Sequence, residues 1–294
     1  MQRRPGWFIA GFLAPALLLY VGLVLFPLQQ AVQISFFQWR GTSSVVKPAG
    51  TANYQQVVRD PVFYEALGNN AWMAVVVGLV VFAVAMLAAH ALKKRDRPAK
   101  ILDALVLVPM AVSSVVAALL WQFMFHPQMG PVPELQKMLG LGEFQSGWLA
   151  TPATALPAVG VALAWLSIGF YVVLFGAGMQ QIPGEVMESA DMDGIPGWAK
   201  FWRITWPLLW TVRRTAVIYW FISVMNTFAI VYLMTKGGPD HRTEVMLTYL
   251  YITAVENSQY GYGSALAVVN LVLVLAISGL LMWLMRRDPA EARA

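Results

Sequence analysis

The chain has 294 residues, 59% of them hydrophobic and 12% charged, with a formal net charge of +5 and no cysteine. Soluble domains carry about 25% charged residues, so this composition excludes a soluble globular protein and predicts an integral membrane one. It also excludes disulfide and thiolate chemistry, and the positive charge lacks the basic face on a soluble element that nucleic-acid binding needs.

A transmembrane helix takes about 20 mostly apolar residues. Six stretches qualify: Trp7–Leu28, Ala71–Leu92, Ala104–Phe125, Ala153–Met179, Thr215–Met234 and Ala265–Met285. None contains Asp, Glu, Lys or Arg. The first follows Arg3 and Arg4 like a signal peptide, but its apolar core is too long and lacks a small-residue cleavage site. It reads as an uncleaved span. The segment 29–70 is rich in Gln, Ser, Thr and Gly, with Phe36, Phe37 and Trp39 expected at the membrane interface. The segment 126–152 carries Pro127, Pro131 and Pro133, and a short helix is predicted over Pro133–Leu139. The fourth stretch exceeds the needed length, which predicts a tilt or a surface start near Pro157. After the fifth, Thr235-Lys236-Gly237-Gly238-Pro239 forces a turn. With no internal repeat, the expected fold is all-α, a single membrane domain over 1–294 with six spans.

Lys and Arg placement gives the orientation. One set of loops holds Arg3, Arg4, Lys93, Lys94, Arg95, Arg97, Lys100, Lys200, Arg203, Arg213, Arg214, Arg286, Arg287 and Arg293, fourteen in all. The other holds six: Arg40, Lys47, Arg59, Lys137, Lys236 and Arg242. The bias predicts that both termini and the loop 182–207 are cytoplasmic.

That loop reads IPGEVMESADMDGIPGWAKFWRITWP. Pro183 suits a first helical turn, and Glu185 and Glu188 favour the dipole of a helix start. Gly194 can end the helix in a left-handed conformation. Pro196 can start a second helix, and Pro207 marks the passage to the next apolar segment. Two short helices with a glycine corner are expected.

The chain carries no phosphate-binding G-x-x-x-x-G-K-[ST], no H-E-x-x-H and no G-x-S-x-G. His90, His126 and His241 lie far apart and predict no metal site. The spans lack the charged side chains that ion-coupled carriers often embed, which argues for a neutral or externally solvated substrate. They hold instead aromatic and neutral polar residues: Trp165, Ser167, Phe170 and Tyr171 in the fourth, and Tyr219, Trp220, Ser223, Asn226, Thr227 and Tyr232 in the fifth. Trp220, Ser223 and Thr227 share a helical face. Such a mixture suits the hydroxyls and apolar faces of a sugar, and equally suits helix packing. Alternatives are a secondary transporter of a neutral solute and an intramembrane enzyme; the first needs a coupling-ion site and the second a catalytic pair.

Glu188-Ser189-Ala190, Asp193-Gly194 and Ile204-Thr205-Trp206-Pro207 fall at the spacing of the coupling loop of binding-protein-dependent ABC importer permeases, which the segment resembles. Ser189 and Trp206 depart from the alanine and leucine of that pattern. Trp165 and Gly169, Val108-Pro109, Trp121, Met234 to Pro239, and Tyr260 to Ala265 are similar to stretches of its carbohydrate branch. The resemblance implies a type I ABC importer permease fold in a bacterial or archaeal inner membrane. It implies no enzymatic activity and no cofactor in this chain. The implied partners are a second permease, two ATPase subunits that bind ATP and Mg, and an extracytoplasmic substrate-binding protein. Glu188, Ser189, Ala190, Asp193, Gly194, Ile204 and Pro207 would couple to an ATPase. Trp165, Ser167, Phe170, Trp220, Ser223, Asn226 and Thr227 would line the path of a sugar or polyol.

Overall fold

The computed structural model describes residues 6–41, 46–92, 105–140 and 147–287. Arg3, Arg4, Lys93, Lys94, Arg95, Arg97, Lys100, Ala104 and Arg293 lie outside the described residues. The chain divides into two compact units, 1–61 with 250–272, and 62–249 with 273–294.

In the first unit, α1 (Gly11–Ile34) leads into two short antiparallel strands, β1 (Phe37–Gln38) and β2 (Lys47–Pro48), and then into α2 (Ala52–Arg59). Buried Asn53 ties the junction, its amide donating to the carbonyls of Ser35 (2.7 Å) and Phe37 (3.0 Å). Trp39 packs on Tyr260 at 5.4 Å. The Tyr262 hydroxyl donates to the Asp60 carboxylate.

The second unit holds most of the packed helices. Apolar helix α3 (Pro61–Leu92) starts ten residues before the hydropathy run, at a proline. It packs along α7 (Pro152–Gln180), a continuous helix through Pro157. Glycines set this contact: a Cβ on Gly160 would come within 2.9 Å of Val77 and 3.2 Å of Trp72. Gly169 allows a closer approach, since its Cβ would lie 2.6 Å from the Val106 carbonyl oxygen.

The third apolar stretch is not the straight span expected. It breaks into α4 (Leu105–Ala111) and α5 (Ser114–Met124), which meet at 117°. Ser113 starts α5 as a cap, its hydroxyl accepting from Val116 N–H at 3.3 Å. Beyond it, α6 runs over Pro131–Met138, two residues earlier at its start than predicted. The fifth stretch bends too, by 44° between α10 (Trp210–Met225) and α11 (Ala229–Thr235). Among the described residues, four helices are long and apolar enough to cross a membrane: α1, α3, α7 and the closing α13 (Tyr260–Leu284). Counting each bent pair as one span gives up to six.

A polar knot holds the second bend. Its missing turn frees carbonyls of α10. The Thr227 hydroxyl donates to Ser223 O (3.1 Å), and Thr227 N–H to Val224 O (3.0 Å). Fully buried Asn70 of α3 also donates to Val224 O (2.9 Å) and accepts from Met246 N–H (2.9 Å). That N–H begins α12 (Met246–Tyr251), where the first helical donors have no partner within the helix. Asn69 donates to the Glu244 carbonyl at 2.8 Å. Buried Glu244 accepts through its carboxylate from the Thr248 hydroxyl (2.6 Å) and contacts His241 Nδ1 (3.0 Å). Gly237, at φ +81°, leaves the space that this carboxylate fills.

Asn70→Ala orphans the buried Met246 N–H and should destabilise the protein by about 1–3 kcal/mol. Asn70→Asp keeps an acceptor for Met246 but loses the donor to Val224, and should destabilise as well. Thermal unfolding of the detergent-purified protein checks both; an unchanged midpoint for Asn70→Ala would remove this knot as a structural tie.

Candidate functional site

The glycine corner forms as a helix C-cap. Helix α8 (Gly184–Met192) begins after Pro183 and carries Glu185 in its first turn. At its end Ile195 N–H donates to Ala190 O (3.1 Å) and Gly194 N–H to Asp191 O (3.0 Å), the paired bonds of a Schellman motif. Gly194 sits at φ +68° with open space where a Cβ would go. Its constraint is therefore backbone conformation, with no crowding inside the chain. After the corner, α9 (Gly197–Lys200) starts behind Pro196, and Lys200 returns to pair with Asp191. The corner is a small closed knuckle, fixed mainly by its backbone bonds.

The residues assigned to coupling divide by exposure. Glu188, Ser189, Asp193 and Gly194 are exposed, Ile204 and Pro207 are half-buried, and Ala190 is buried. Ser189 spends its hydroxyl on Glu185 O at 2.8 Å. Sequence reasoning missed two residues here: Met192 (88% exposed) and Trp198 (75% exposed) flank Gly194. Large apolar side chains on a polar loop were the available signal.

The residues assigned to the substrate path differ in burial. Trp220 is 3% exposed, its indole N–H donating to Ala74 O at 2.8 Å and its ring standing edge-on to Tyr171 and Phe82. Gly78 provides the room for that indole. Thr227, in the break after α10, is buried, and its hydroxyl donates back to Ser223 O of that helix. Exposed Asn226 donates its amide to Ile222 O at 2.8 Å. Ser167 and Ser223 are half-buried. Half-buried Phe170 packs against exposed Tyr219 at 4.9 Å, joining α7 to α10, and Trp165 stands edge-on to Trp121 at 6.0 Å. The structure thus brings together Phe170 and Tyr219, and sets Trp220 and Thr227 into helix packing. Asn69, Asn70 and Glu244 also escaped sequence reasoning. The asparagine pair lay just outside the apolar run, and Glu244 follows His241 at a three-residue spacing.

Known proteins resemble this chain along nearly its whole length. Residues 82–287 match the family model described as binding-protein-dependent transport system inner membrane component. The probable ABC transporter permease protein YurN of Bacillus subtilis is 34% identical over 269 residues, covering 91% of this chain and 92% of its own length. The diacetylchitobiose uptake system permease protein NgcF of Streptomyces coelicolor is 32% identical, covering 93% of this chain and 80% of its own. The sn-glycerol-3-phosphate transport system permease protein UgpA of Brucella suis is 31% identical, covering 90% of each chain. A crystal structure of a bacterial ABC transporter that imports the acidic polysaccharide alginate superposes with a TM-score of 0.83 at 20% identity, over 96% of both chains. An all-α fold of apolar helices agrees with these likenesses: the chain belongs to the binding-protein-dependent transport system inner membrane components, the multi-pass permease subunits of ABC-type importers.

Proposed function

We propose that this permease forms half of the translocation path for a sugar or related polyol, crossing the membrane six times with both termini and the loop 182–207 in the cytoplasm. The observation that carries the reading is the Gly194 knuckle. It is a rigid, exposed corner with Glu188, Met192 and Trp198 around it, suited to docking on an ATPase subunit. A second permease, a second ATPase and an extracytoplasmic binding protein complete the assembly. ATP-driven closure of the ATPases then moves the spans as rigid bodies between inward- and outward-facing states. Membership of an ABC family sets aside the secondary-transporter alternative, since the energy source lies in partner subunits.

The substrate class rests on chemistry. No Asp, Glu, Lys or Arg lies in the apolar stretches, and the half-buried or exposed residues Ser167, Phe170, Ser223 and Asn226 are aromatic or neutral polar. On this reading Trp165, Ser167, Phe170, Ser223 and Asn226 line the path, while Trp220 and Thr227 pack behind it and hold its shape. Relatives named for diacetylchitobiose and sn-glycerol-3-phosphate support polyhydroxylated cargo.

Three outcomes are expected. A reporter active only in the cytoplasm should work when fused after Arg287; activity of a periplasm-only reporter there would overturn the orientation. Gly194→Val forces a branched side chain into the left-handed region, at about 1–2 kcal/mol, and should abolish uptake while the protein still reaches the membrane. Gly194→Asn, which tolerates that region, should keep most of the uptake, and equal loss in both would show that conformation is not what matters at the corner. For the path, Ser167→Ala should raise the substrate concentration for half-maximal uptake about two- to tenfold, the worth of one neutral hydrogen bond, without altering basal ATPase activity of the reconstituted complex. Trp220→Ala should instead lower the yield of folded complex, because it empties a packed site.

A further inference from the structure

Beyond the Gly194 corner a tryptophan recurs at every fourth residue: Trp198, Trp202, Trp206 and Trp210. In a straight α-helix this spacing drifts around the axis by about 40° per step, because a turn takes 3.6 residues. Here the turn Phe201–Thr205 is π-helical, with Trp206 N–H donating to Phe201 O five residues back. The wider turn brings successive indoles toward one line. Ring centroids lie 5.5 Å apart for Trp198 and Trp202, and 5.3 Å apart for Trp202 and Trp206. Arg213 continues the row, its guanidinium 4.0 Å from the Trp206 ring and 5.1 Å from the Trp210 ring.

The charge along this ladder has one sign. Arg203 follows Trp202, Arg214 stands four residues after Trp210, and the sequence from 194 to 239 contains no Asp or Glu. Lys200 is committed to Asp191. Neither Arg203 nor Arg214 has an acidic partner among the described residues. Trp198 and Trp202 are exposed, whereas Trp206 and Trp210 are half-buried where the segment enters α10. Indoles favour the depth of lipid headgroups, and arginines beside them attract anionic lipid.

We propose that the Trp202–Trp206–Trp210 ladder is a binding site for an anionic phospholipid, with Arg203 and Arg214 at its two ends attracting the headgroup's negative charge and the indoles seated at the boundary with the acyl chains. Such a lipid would clamp the joint between the coupling loop and α10, through which motion of the loop reaches the span. The proposal rests on the membrane placement of the permease and is independent of which leaflet the loop faces.

The test uses the assembled complex in phosphatidylcholine vesicles containing a fixed mole fraction of phosphatidylglycerol, with bromine on the chains of one lipid or the other in both leaflets. The chain has 12 tryptophans, so the ladder signal is the difference between wild type and Trp202→Phe/Trp206→Phe. Brominated phosphatidylglycerol should quench that signal more strongly than brominated phosphatidylcholine at equal mole fraction, with enrichment on the order of fivefold per arginine. Arg203→Gln/Arg214→Gln should remove the excess while leaving quenching by both lipids. Equal quenching by the two lipids in the wild type would overturn the proposal, leaving indoles at the interface without headgroup selection. Absence of quenching by either would overturn it too, by showing that another protein surface covers the ladder. If the phenylalanine pair fails to assemble, native mass spectrometry of wild type and the arginine variant gives the comparison: more phosphatidylglycerol retained by the wild type supports the proposal, and equal retention overturns it.

Discussion

A backbone in hydrocarbon must satisfy its own hydrogen bonds, and the two bent apolar stretches among the described residues carry side chains that meet that constraint. At the bend between α10 and α11 the freed carbonyls of Ser223 and Val224 find Thr227 and Asn70. At the sharper break before α5, the Ser113 hydroxyl takes one of the opened N–H groups. Each bend is located where a short polar side chain stands ready to complete the count. Without Asn70 the Met246 N–H beside the α10–α11 bend would remain buried and unpaired, at a cost of about 1–3 kcal/mol.

The same constraint explains why glycines carry so much of the packing. With few polar residues to join helices, close approach has to supply the contact energy. Gly169 lets the Val106 carbonyl of α4 rest against α7, and Gly78 seats the Trp220 indole, whose N–H then reaches Ala74 O. That hydrogen bond crosses between helices without a charge. It also decides the role of Trp220, because an indole committed to a neighbouring backbone is held away from any open face.

The loop between α7 and α10 obeys different physics. It lies in a polar setting, so its conformation rests on local closure: a Schellman cap at Gly194, a proline before each short helix, and one ion pair across the corner. An exposed ion pair contributes little by itself. The backbone cap closes the knuckle, the form that the proposed docking on an ATPase subunit calls for. The π turn Phe201–Thr205 after the corner then leads the chain toward α10, with Trp198, Trp202 and Trp206 in successive ring contact.

What the sequence determined by itself was whatever depends on composition or on neighbours within a few residues. Membrane character and the apolar stretches follow from sums over a window. The Gly194 corner follows from bonds that span at most five residues, so Pro183, Gly194 and Pro196 were enough to read it. Only the tertiary structure decided the rest. Hydropathy has no direction, so the run from Ala104 to Phe125 could not disclose its break, although Pro109 and Ser113 were both present. Trp220, Asn70 and Glu244 take their roles from partners 146 to 176 residues away. A residue's own helix face says which side it occupies, and the helix packed against that side says whether it is buried or open.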